Sequence, residues 1–277
     1  MTDKLTTRRK LLVGIGATST IALAGCTDGD GNGNGTTEPD TDTEPDTDTD
    51  TETDTDTETD TDTETDTDTE QARLRVAHMS PNAPNVDVYV NGDAVLEDVP
   101  FGDVSDYLTV PAAEHEIEIT AAGDPDTSVF SGPVTVAADT DYTVAAIGEL
   151  GDDADQPFEP LVLEDDNSAV EGDQSRLRVV HASPDAPAVD VTAAGGDTVL
   201  FDGVQYGESG YVEVAAGDYT VEIRGDTDDN DGDVVADFDV SLDGGTVYTA
   251  FAAGYLTPDD EPADVPFDLL VGQDSTQ

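Results

Sequence analysis

The sequence predicts an all-β protein with two tandem antiparallel β-sandwich domains of immunoglobulin-like architecture. A sixteen-residue phrase, RLRVAHMSPNAPNVDV at 73–88, recurs as RLRVVHASPDAPAVDV at 176–191 with twelve identical positions, which indicates two copies of one structural unit. Apolar and polar residues alternate over short runs bounded by Gly, Pro, Asn and Asp, as in strands. Neither copy contains a window with a convincing helical period, so a sandwich is favoured over a mixed fold.

We predict that the two domains span residues 72–165 and 175–273, joined by a polar linker at 166–174. Each is close to the commonest domain size. In the first copy, the residues expected to share the buried face of each strand are, in chain order, Leu74 and Val76, Val86 and Val88, Leu108 and Val110, Ile117 and Ile119, Val134 and Val136, and Tyr142 and Val144. The second copy keeps this order, with Tyr211, Val221, Ile223 and Tyr248 at matching positions.

Residues 1–26 are predicted to be an export signal. Arg8 and Arg9 precede an apolar run at 11–25, which is shorter than the roughly 18 residues that a membrane span needs, so the segment resembles a twin-arginine signal peptide. The run ends in Leu-Ala-Gly-Cys, which resembles a lipobox. Cys26 is the only Cys in the chain, so an intrachain disulfide is excluded and lipidation is its expected use; the alternative is an ordinary signal peptide with a coincidental Cys. We expect a protein anchored by lipid on Cys26 to the outer face of the cell membrane.

Residues 27–71 are expected to form a disordered linker. The segment is a Thr/Asp/Glu repeat after a short Gly/Asn stretch, and it offers almost no apolar side chain to bury. We predict a stalk that lifts the domains off the membrane. Its many Thr residues suit O-glycosylation, and Asn34 begins an N-glycosylation triplet.

The charge of the chain excludes two classes of partner. The formal net charge is −56, and a mature chain beginning at Cys26 has five Arg, no Lys and 64 acidic residues, a charge of −59. Such a surface repels nucleic acid and anionic lipid head groups. It also repels itself unless salt screens it strongly, since the Debye length is about 3 Å at 1 M. This composition, together with the twin-arginine start, resembles that of proteins from halophilic archaea.

The duplicated phrase also carries a family resemblance. Residues 78–88 and 181–191 both read His-x-Ser-Pro-x-Ala-Pro-x-Val-Asp-Val. This resembles the signature of the family catalogued as domain of unknown function 4397, and the resemblance covers residues 72–273. It implies extracytoplasmic, often repeated, β-rich modules and brings no catalytic residue.

Four of the five mature Arg residues lie in the phrase: Arg73, Arg75, Arg176 and Arg178. They alternate with the Leu/Val face of the first strand and therefore point away from it. Because exposed ion pairs contribute little, we expect these side chains to be held by bidentate carboxylate pairing within each domain. The alternative is a small cationic spot that recognises an anionic group, such as a glycan carboxylate or sulfate.

His78 and His181, each followed by a Ser two residues on and an Asp nine residues on, raise the question of a Ser/His/Asp triad. The Asp alternates away from its Val neighbours, and no G-x-S-x-G turn is present. We therefore expect no catalysis from this set. The favoured interpretation is a His that points inward and hydrogen-bonds the Ser-Pro-x-Ala-Pro turn.

The acidic loop at 226–233 is a weak metal candidate. Placing Gly232 at the sixth position of an EF-hand loop puts Thr and Phe where carboxylates are required, so that pattern fails. A solvated acidic loop is favoured, with an irregular oxygen-ligand site as the alternative; the carboxylates concerned are Asp226, Asp228, Asp231 and Asp233. No His/Cys cluster suits zinc, and no cofactor is expected.

Taken together, these features predict a non-catalytic, lipid-anchored cell-surface protein. Its two β-sandwich modules would stand on an acidic stalk and serve binding, adhesion or envelope structure, with an envelope protein or glycan as partner. Two alternatives stay open at this stage. One is a secreted enzyme with a site between the repeats, and the other is a calcium- or cation-binding surface protein.

Overall fold

The structure, a computed structural model, describes residues 70–276, and these residues form sixteen strands. The first repeat contains β1 (Gln71–His78), β2 (Val86–Val90), β3 (Asp93–Val99), β4 (Leu108–Pro111), β5 (Glu114–Ala121), β6 (Asp124–Thr135), β7 (Asp141–Ile147) and β8 (Glu159–Asp165). The second contains β9 (Gln174–His181), β10 (Val189–Ala193), β11 (Thr198–Val204), β12 (Ser209–Ala215), β13 (Gly217–Gly225), β14 (Val234–Leu242), β15 (Thr246–Ala253) and β16 (Asp268–Thr276). The described helices are two short 3₁₀ turns, Ala194–Gly196 and Pro258–Asp260.

Each repeat is a sandwich of two four-stranded sheets, which confirms the predicted fold class. The first repeat pairs the order β4-β1-β7-β8 with β3-β2-β5-β6, and the second pairs β12-β9-β15-β16 with β11-β10-β13-β14. Most neighbours are antiparallel, but β1 runs parallel to β7 and β9 parallel to β15. This parallel pair is compatible with the chain order, because β7 and β15 each follow a strand of the opposite sheet and are not bound to their neighbours by a hairpin.

Each sandwich has its own apolar core, built from one face of its strands. In β1, Leu74 and Val76 point into the first core, where they meet Val86, Val88 and Ile119. The second core uses the matching residues Leu177 and Val179 with Val189, Val191 and Ile223. The strict alternation of these residues is what the sequence pattern predicts for a half-buried strand.

The sheets that contain β1 and β9, called here the inner sheets, have their second faces buried as well. A third apolar cluster draws on both repeats: Ala77, Met79, Ala145, Ile147, Leu163, Val180, Ala182, Phe251 and Ala253. The two sandwiches therefore belong to one compact unit. Burial on both faces explains why every residue of β15 is buried, as in a sheet covered on both sides.

The predictions about the export signal, Cys26 and the linker fall on residues outside the described part of the chain. Within residues 70–276, no helix has the length and apolar character to span a membrane.

Candidate functional site

The second arginine of each phrase, Arg75 or Arg178, lies at the face between the two inner sheets. They belong to a buried polar network that also contains two aspartates and two threonines: Arg75, Thr143 and Asp165 from the first repeat, and Arg178, Thr249 and Asp274 from the second. The four charged side chains are all nearly inaccessible to solvent, at 3% exposure or less. The network lies beside the third apolar cluster, so the inter-repeat face combines apolar packing with paired charge.

Arg178 of the second repeat reaches into the first. Its Nη2 lies 2.6 Å from Oδ1 of Asp165, and the same nitrogen donates to Thr143 Oγ1 at 3.3 Å. Thr143 in turn donates to Asp165 at 2.7 Å. Tyr107 completes the environment, since its hydroxyl donates to Asp165 Oδ2 at 2.5 Å. Three donors, from Arg178, Thr143 and Tyr107, thus satisfy this carboxylate, as a buried charge requires.

Arg75 makes the reciprocal crossing. Its Nη2 lies 2.8 Å from Oδ1 of Asp274, and Thr249 Oγ1 donates to the other oxygen of that carboxylate at 2.6 Å. Burial raises the pKa of Asp274, while the charges of Arg75 and Arg178 act in the opposite direction. Burial alone would lower the pKa of Arg75, but the neighbouring Asp274 leaves it raised. Each repeat thus supplies the arginine for the other repeat's aspartate, as in an isologous two-fold interface.

This arrangement corrects one sequence expectation. Arg75 and Arg178 were expected to pair with carboxylates inside their own domains, but their closest carboxylates, Asp274 and Asp165, belong to the other repeat. Side chains that point away from one core are, in this fold, directed at the second sandwich. The alternation of the strand residues correctly predicted the direction of these two side chains, but it could not predict their partners in the other sandwich.

The first arginine of each phrase has a different environment from the second. Arg73 makes a bidentate pair with Asp141 in its own domain, with Nε 2.6 Å from Oδ1 and Nη2 bound to Oδ2, and its side chain is 53% exposed. Arg176 is only 11% exposed. It contacts Asp166 at 3.0 Å, Glu213 at 2.7 Å and Ser168 at 2.9 Å. The two copies of this arginine are therefore not equivalent.

The histidines of the phrase are buried and hold the turn that follows. His78 Nδ1 accepts from the Ser80 backbone N–H at 3.4 Å, so its Nε2 carries the proton and lies 3.0 Å from the carbonyl of Pro84. His181 makes the same contacts with Ser183 and Pro187. Burial lowers the pKa of both rings. The imidazoles thus act as neutral fixed links between a strand end and a turn.

A Ser/His/Asp triad is not assembled from these residues. Ser80 Oγ donates to the Gly148 carbonyl at 2.6 Å rather than to His78. Asp87 accepts from the backbone N–H groups of Asp98 and Gly123. In the second copy, Ser183 and Asp190 have the corresponding roles, with Asp190 accepting from two backbone amides. Each member of the suspected set is used to fix a loop.

The buried histidines predict acid destabilisation. The lowered pKa in the folded state means that the unfolded chain takes up protons first as the pH falls below about 6.5. The contribution of the two neutral rings to stability is therefore fully present above that pH and decreases below it, by at most about 1 kcal/mol per histidine between pH 6.5 and 5.5. Denaturant titrations at pH 7.5 and 5.5 in constant molar salt measure this loss.

The matched variant for that titration is His181→Gln, which removes one of the two imidazoles whose pKa is lowered. It should lower stability at pH 7.5 but show about half of the wild-type change between the two pH values. A change as large as that of the wild type would assign the effect to other groups. Asp274 does not mimic it, because a raised carboxyl pKa in the folded state makes acidification stabilising.

The acidic residues of the 226–233 loop do not converge as a group. Only Asp226 joins other carboxylates, and these are Asp190 and Asp202, with one oxygen of each within 4.8 Å of the others. Both oxygens of Asp190 already accept backbone N–H groups, from Gly203 and Thr227. Desolvation, followed by the neighbouring carboxylate charges, raises the pKa of Asp226. The structure accounts for this cluster as a loop anchor, and proximity alone does not define a cation site.

Sequence reasoning missed the carboxylates and hydroxyls of the network. Thr143 and Thr249 each follow a core Tyr, and Asp165 and Asp274 each stand seven residues after a Phe, so both pairs occupy matching positions of the repeats. The signal that could have found them is the recurrence of a polar residue at the same position of both repeats, beside the matched Tyr142 and Tyr248 for the threonines. The third histidine, His115, was also missed; it is buried between Asn91 and the Pro111 carbonyl.

Fold and site together define a tandem-repeat β-sandwich protein whose repeats are joined by a reciprocal buried ion-pair network. The family described as domain of unknown function (DUF4397) matches residues 72–192 and 192–276, and the chain belongs to this family. The resemblance of the duplicated phrase to that family is thereby confirmed.

Other comparisons add little. No curated protein matches the chain. Among solved structures, the chain is similar to the Bacillus anthracis TIE protein, with 10% sequence identity and a TM-score of 0.22. That match covers 66% of this chain and 34% of the other, so this chain spans about a third of that protein.

Proposed function

We propose that this chain is a non-catalytic, lipid-anchored protein of the outer cell surface, whose two sandwiches form one rigid unit that serves binding, adhesion or envelope structure. The observation that carries the proposal is the use of the phrase's polar residues. Both His residues, and Arg75 and Arg178, are buried and engaged in structural hydrogen bonds or ion pairs. The side chains that raised the question of catalysis or ligand binding thus have structural roles.

The rigidity of the unit suits presentation. A linker of eight residues separates β8 from β9, which by itself would leave the sandwiches free to reorient. The buried network and the third apolar cluster remove that freedom by joining the inner sheets. A rigid pair of domains on an extended acidic stalk is well suited to holding a surface at a fixed spacing from the membrane.

The anchor and the export route can be tested with two variants in a halophilic host. We expect the wild-type chain in the membrane fraction and open to protease added to intact cells. Cys26→Ser should release the chain into the medium, because no thiol is left to carry lipid. Arg8→Lys combined with Arg9→Lys should leave the full-length precursor in the cytoplasm.

A cytoplasmic marker that stays protease-resistant in the same cells controls for lysis. Recovery of the wild-type chain in the cytoplasmic fraction would contradict surface display. Retention of the Cys26→Ser variant in the membrane would contradict lipid anchoring specifically, while leaving the export prediction intact.

A further inference from the structure

A polar cleft opens beside Arg73, at the edge of the inter-repeat network, whose Asp165 forms part of its lining. Its volume is about 590 Å³, within the roughly 300–1,000 Å³ range of ligand pockets. It lies between the start of β1, the turn before β7 and the segment that follows β8. Exposed polar side chains line it: Gln71, Arg73, Thr109, Asp139, Glu164 and Asp166.

Arg73 is the feature that separates this cleft from an ordinary surface groove. Its equivalent in the second repeat, Arg176, is enclosed by three side chains and is 11% exposed, whereas Arg73 is 53% exposed. Asp141 holds Nε and Nη2 of Arg73, and within residues 70–276 its Nη1 has no hydrogen-bond acceptor. The guanidinium is therefore held in orientation by Asp141 and by the ring of Tyr107, 5.1 Å away, and keeps donors for a ligand. A pre-oriented donor of this kind is suited to binding.

The charges of the cleft decide the class of ligand. Three exposed carboxylates, Asp139, Glu164 and Asp166, oppose an anion. A metal ion requires carboxylate oxygens that converge, and the group of acidic side chains in the described region that does so is elsewhere, at Asp190. The polar lining does not favour an apolar ligand.

What the cleft does offer is a mixture of donors and acceptors. Arg73 donates, the carboxylates accept, and the hydroxyl of Thr109 and the amide of Gln71 do both. A hydroxyl group is itself both donor and acceptor, so adjacent hydroxyls on a sugar ring match this mixture without adding charge.

We propose that the Arg73 cleft binds a neutral carbohydrate, with Arg73 donating to ring hydroxyls and Asp139 accepting from them. The inference rests on the proposed function, because a displayed module has access to envelope glycans. Of the proposed roles of binding, adhesion and envelope structure, it specifies binding and assigns it to one face of the first repeat. The second repeat, with Arg176 enclosed, serves as a structural partner and has no equivalent site.

The test uses the full chain carrying Cys26→Ser, which removes the expected lipid attachment site, in molar salt. The probe is an array of neutral mannose, glucose, galactose and N-acetylhexosamine oligosaccharides printed beside sulfated and uronate-containing ones. We expect binding to a subset of the neutral glycans. Arg73→Gln should weaken that binding at least about tenfold, since a hydrogen bond from a charged group is lost.

Arg224→Gln is the matched control. It removes the same charge from another paired arginine, on β13 in the sheet that lies away from the interface, and should leave glycan affinity unchanged. A second cleft variant is Thr109→Tyr, at an exposed position of edge strand β4 that lines the cleft. Tyr is a good strand former, and its larger side chain should fill the cleft and abolish glycan binding. Circular dichroism confirms that each variant is folded.

Three results would overturn the proposal: no neutral glycan bound, binding to sulfated or uronate glycans alone, or equal affinity for the wild type and a folded Arg73→Gln variant. Each is distinguishable from failure of the proposed function, because protease accessibility on intact cells reports display independently. A displayed protein that binds no neutral glycan would refute the cleft assignment alone.

Discussion

Replacing Arg178 by Met is expected to lower the free energy of unfolding by about 3–5 kcal/mol. The substitution removes the partner that lies 2.6 Å from Asp165 and leaves that carboxylate charged at the buried inter-repeat face. Tyr107 and Thr143 still donate to Asp165, but Arg75, whose Nε lies 3.7 Å from Asp165, is then the one cation of the network for two buried carboxylates, Asp165 and Asp274. Denaturant unfolding in molar salt measures the loss, and salt should not screen the effect because both side chains are buried.

The matched control is Arg73→Met. Arg73 is the same residue type, two positions before Arg75 on β1, and pairs with Asp141 on the surface. An exposed pair contributes about 0–1 kcal/mol, so this variant should unfold almost like the wild type. Similar losses in both variants would show that the network contributes no more than a surface pair.

A second comparison asks whether the network stabilises the fold or specifies the packing of the two sandwiches. The quadruple variant, with Met at both buried arginines and Leu at Asp165 and Asp274, removes all four charges together. Replacing a whole buried network with apolar side chains is often neutral or stabilising, so most of the lost stability should return. If the paired charges fix the register of the two inner sheets, the quadruple variant should be stable but should exchange amide hydrogens faster along β1 and β9.

The fold could be predicted because its two main signals, strand alternation and the duplicated phrase, require no knowledge of how the domains pack. Alternation placed Leu74 and Val76 on a buried face, and the duplicated phrase fixed the number of domains. The packing of the inner sheets could not be predicted, because Ala145, Ala253 and their neighbours are apolar whichever surface they meet. The pairing of Arg178 with Asp165 depends on the relative placement of two domains, which a strand pattern does not contain.

Only part of the candidate cleft could be predicted from the sequence. The sequence indicates that Arg73 either binds a ligand or supports the structure, and the structure gives it both an internal partner and exposed donors. The difference from Arg176 arises from Glu213 and from the linker residues Asp166 and Ser168, which enclose one copy only. The position corresponding to Glu213 in the first repeat is Thr109, a change whose effect appears only once β4 and β12 are placed beside β1 and β9.

Replacing Gly148 by Ala is expected to cost about 2–5 kcal/mol of unfolding free energy, for two separable reasons. Its φ of +82° disfavours any residue with a Cβ, by about 1–2 kcal/mol. An added Cβ would also lie 2.4 Å from the Pro157 carbonyl oxygen, a backbone atom that cannot rotate away. Forcing such a contact typically adds 1–3 kcal/mol.

The surroundings of Gly148 explain why this contact cannot relax easily. The next residue, Glu149, exchanges backbone hydrogen bonds with Gln156 and Phe158, which fixes the chain on the crowded side. On the other side, the Gly148 carbonyl accepts from Ser80 Oγ of the duplicated phrase at 2.6 Å. Any shift that accommodates a methyl group therefore strains the turn that His78 also holds.

Gly92→Ala separates the two causes. Gly92 lies in the β2–β3 turn with a similar φ of +87°, but an added Cβ there would meet no atom within 4 Å. This variant should lose only the conformational part, about 1–2 kcal/mol. The difference in unfolding free energy between the two variants, about 1–3 kcal/mol, then measures the cost of the steric clash with the Pro157 carbonyl. Equal losses would mean that the segment after β7 shifts to accommodate the methyl group. Gly254, with φ +85° and the same 2.4 Å approach to the Pro266 carbonyl oxygen, should reproduce the larger loss in the second repeat, because this constraint was duplicated along with the phrase.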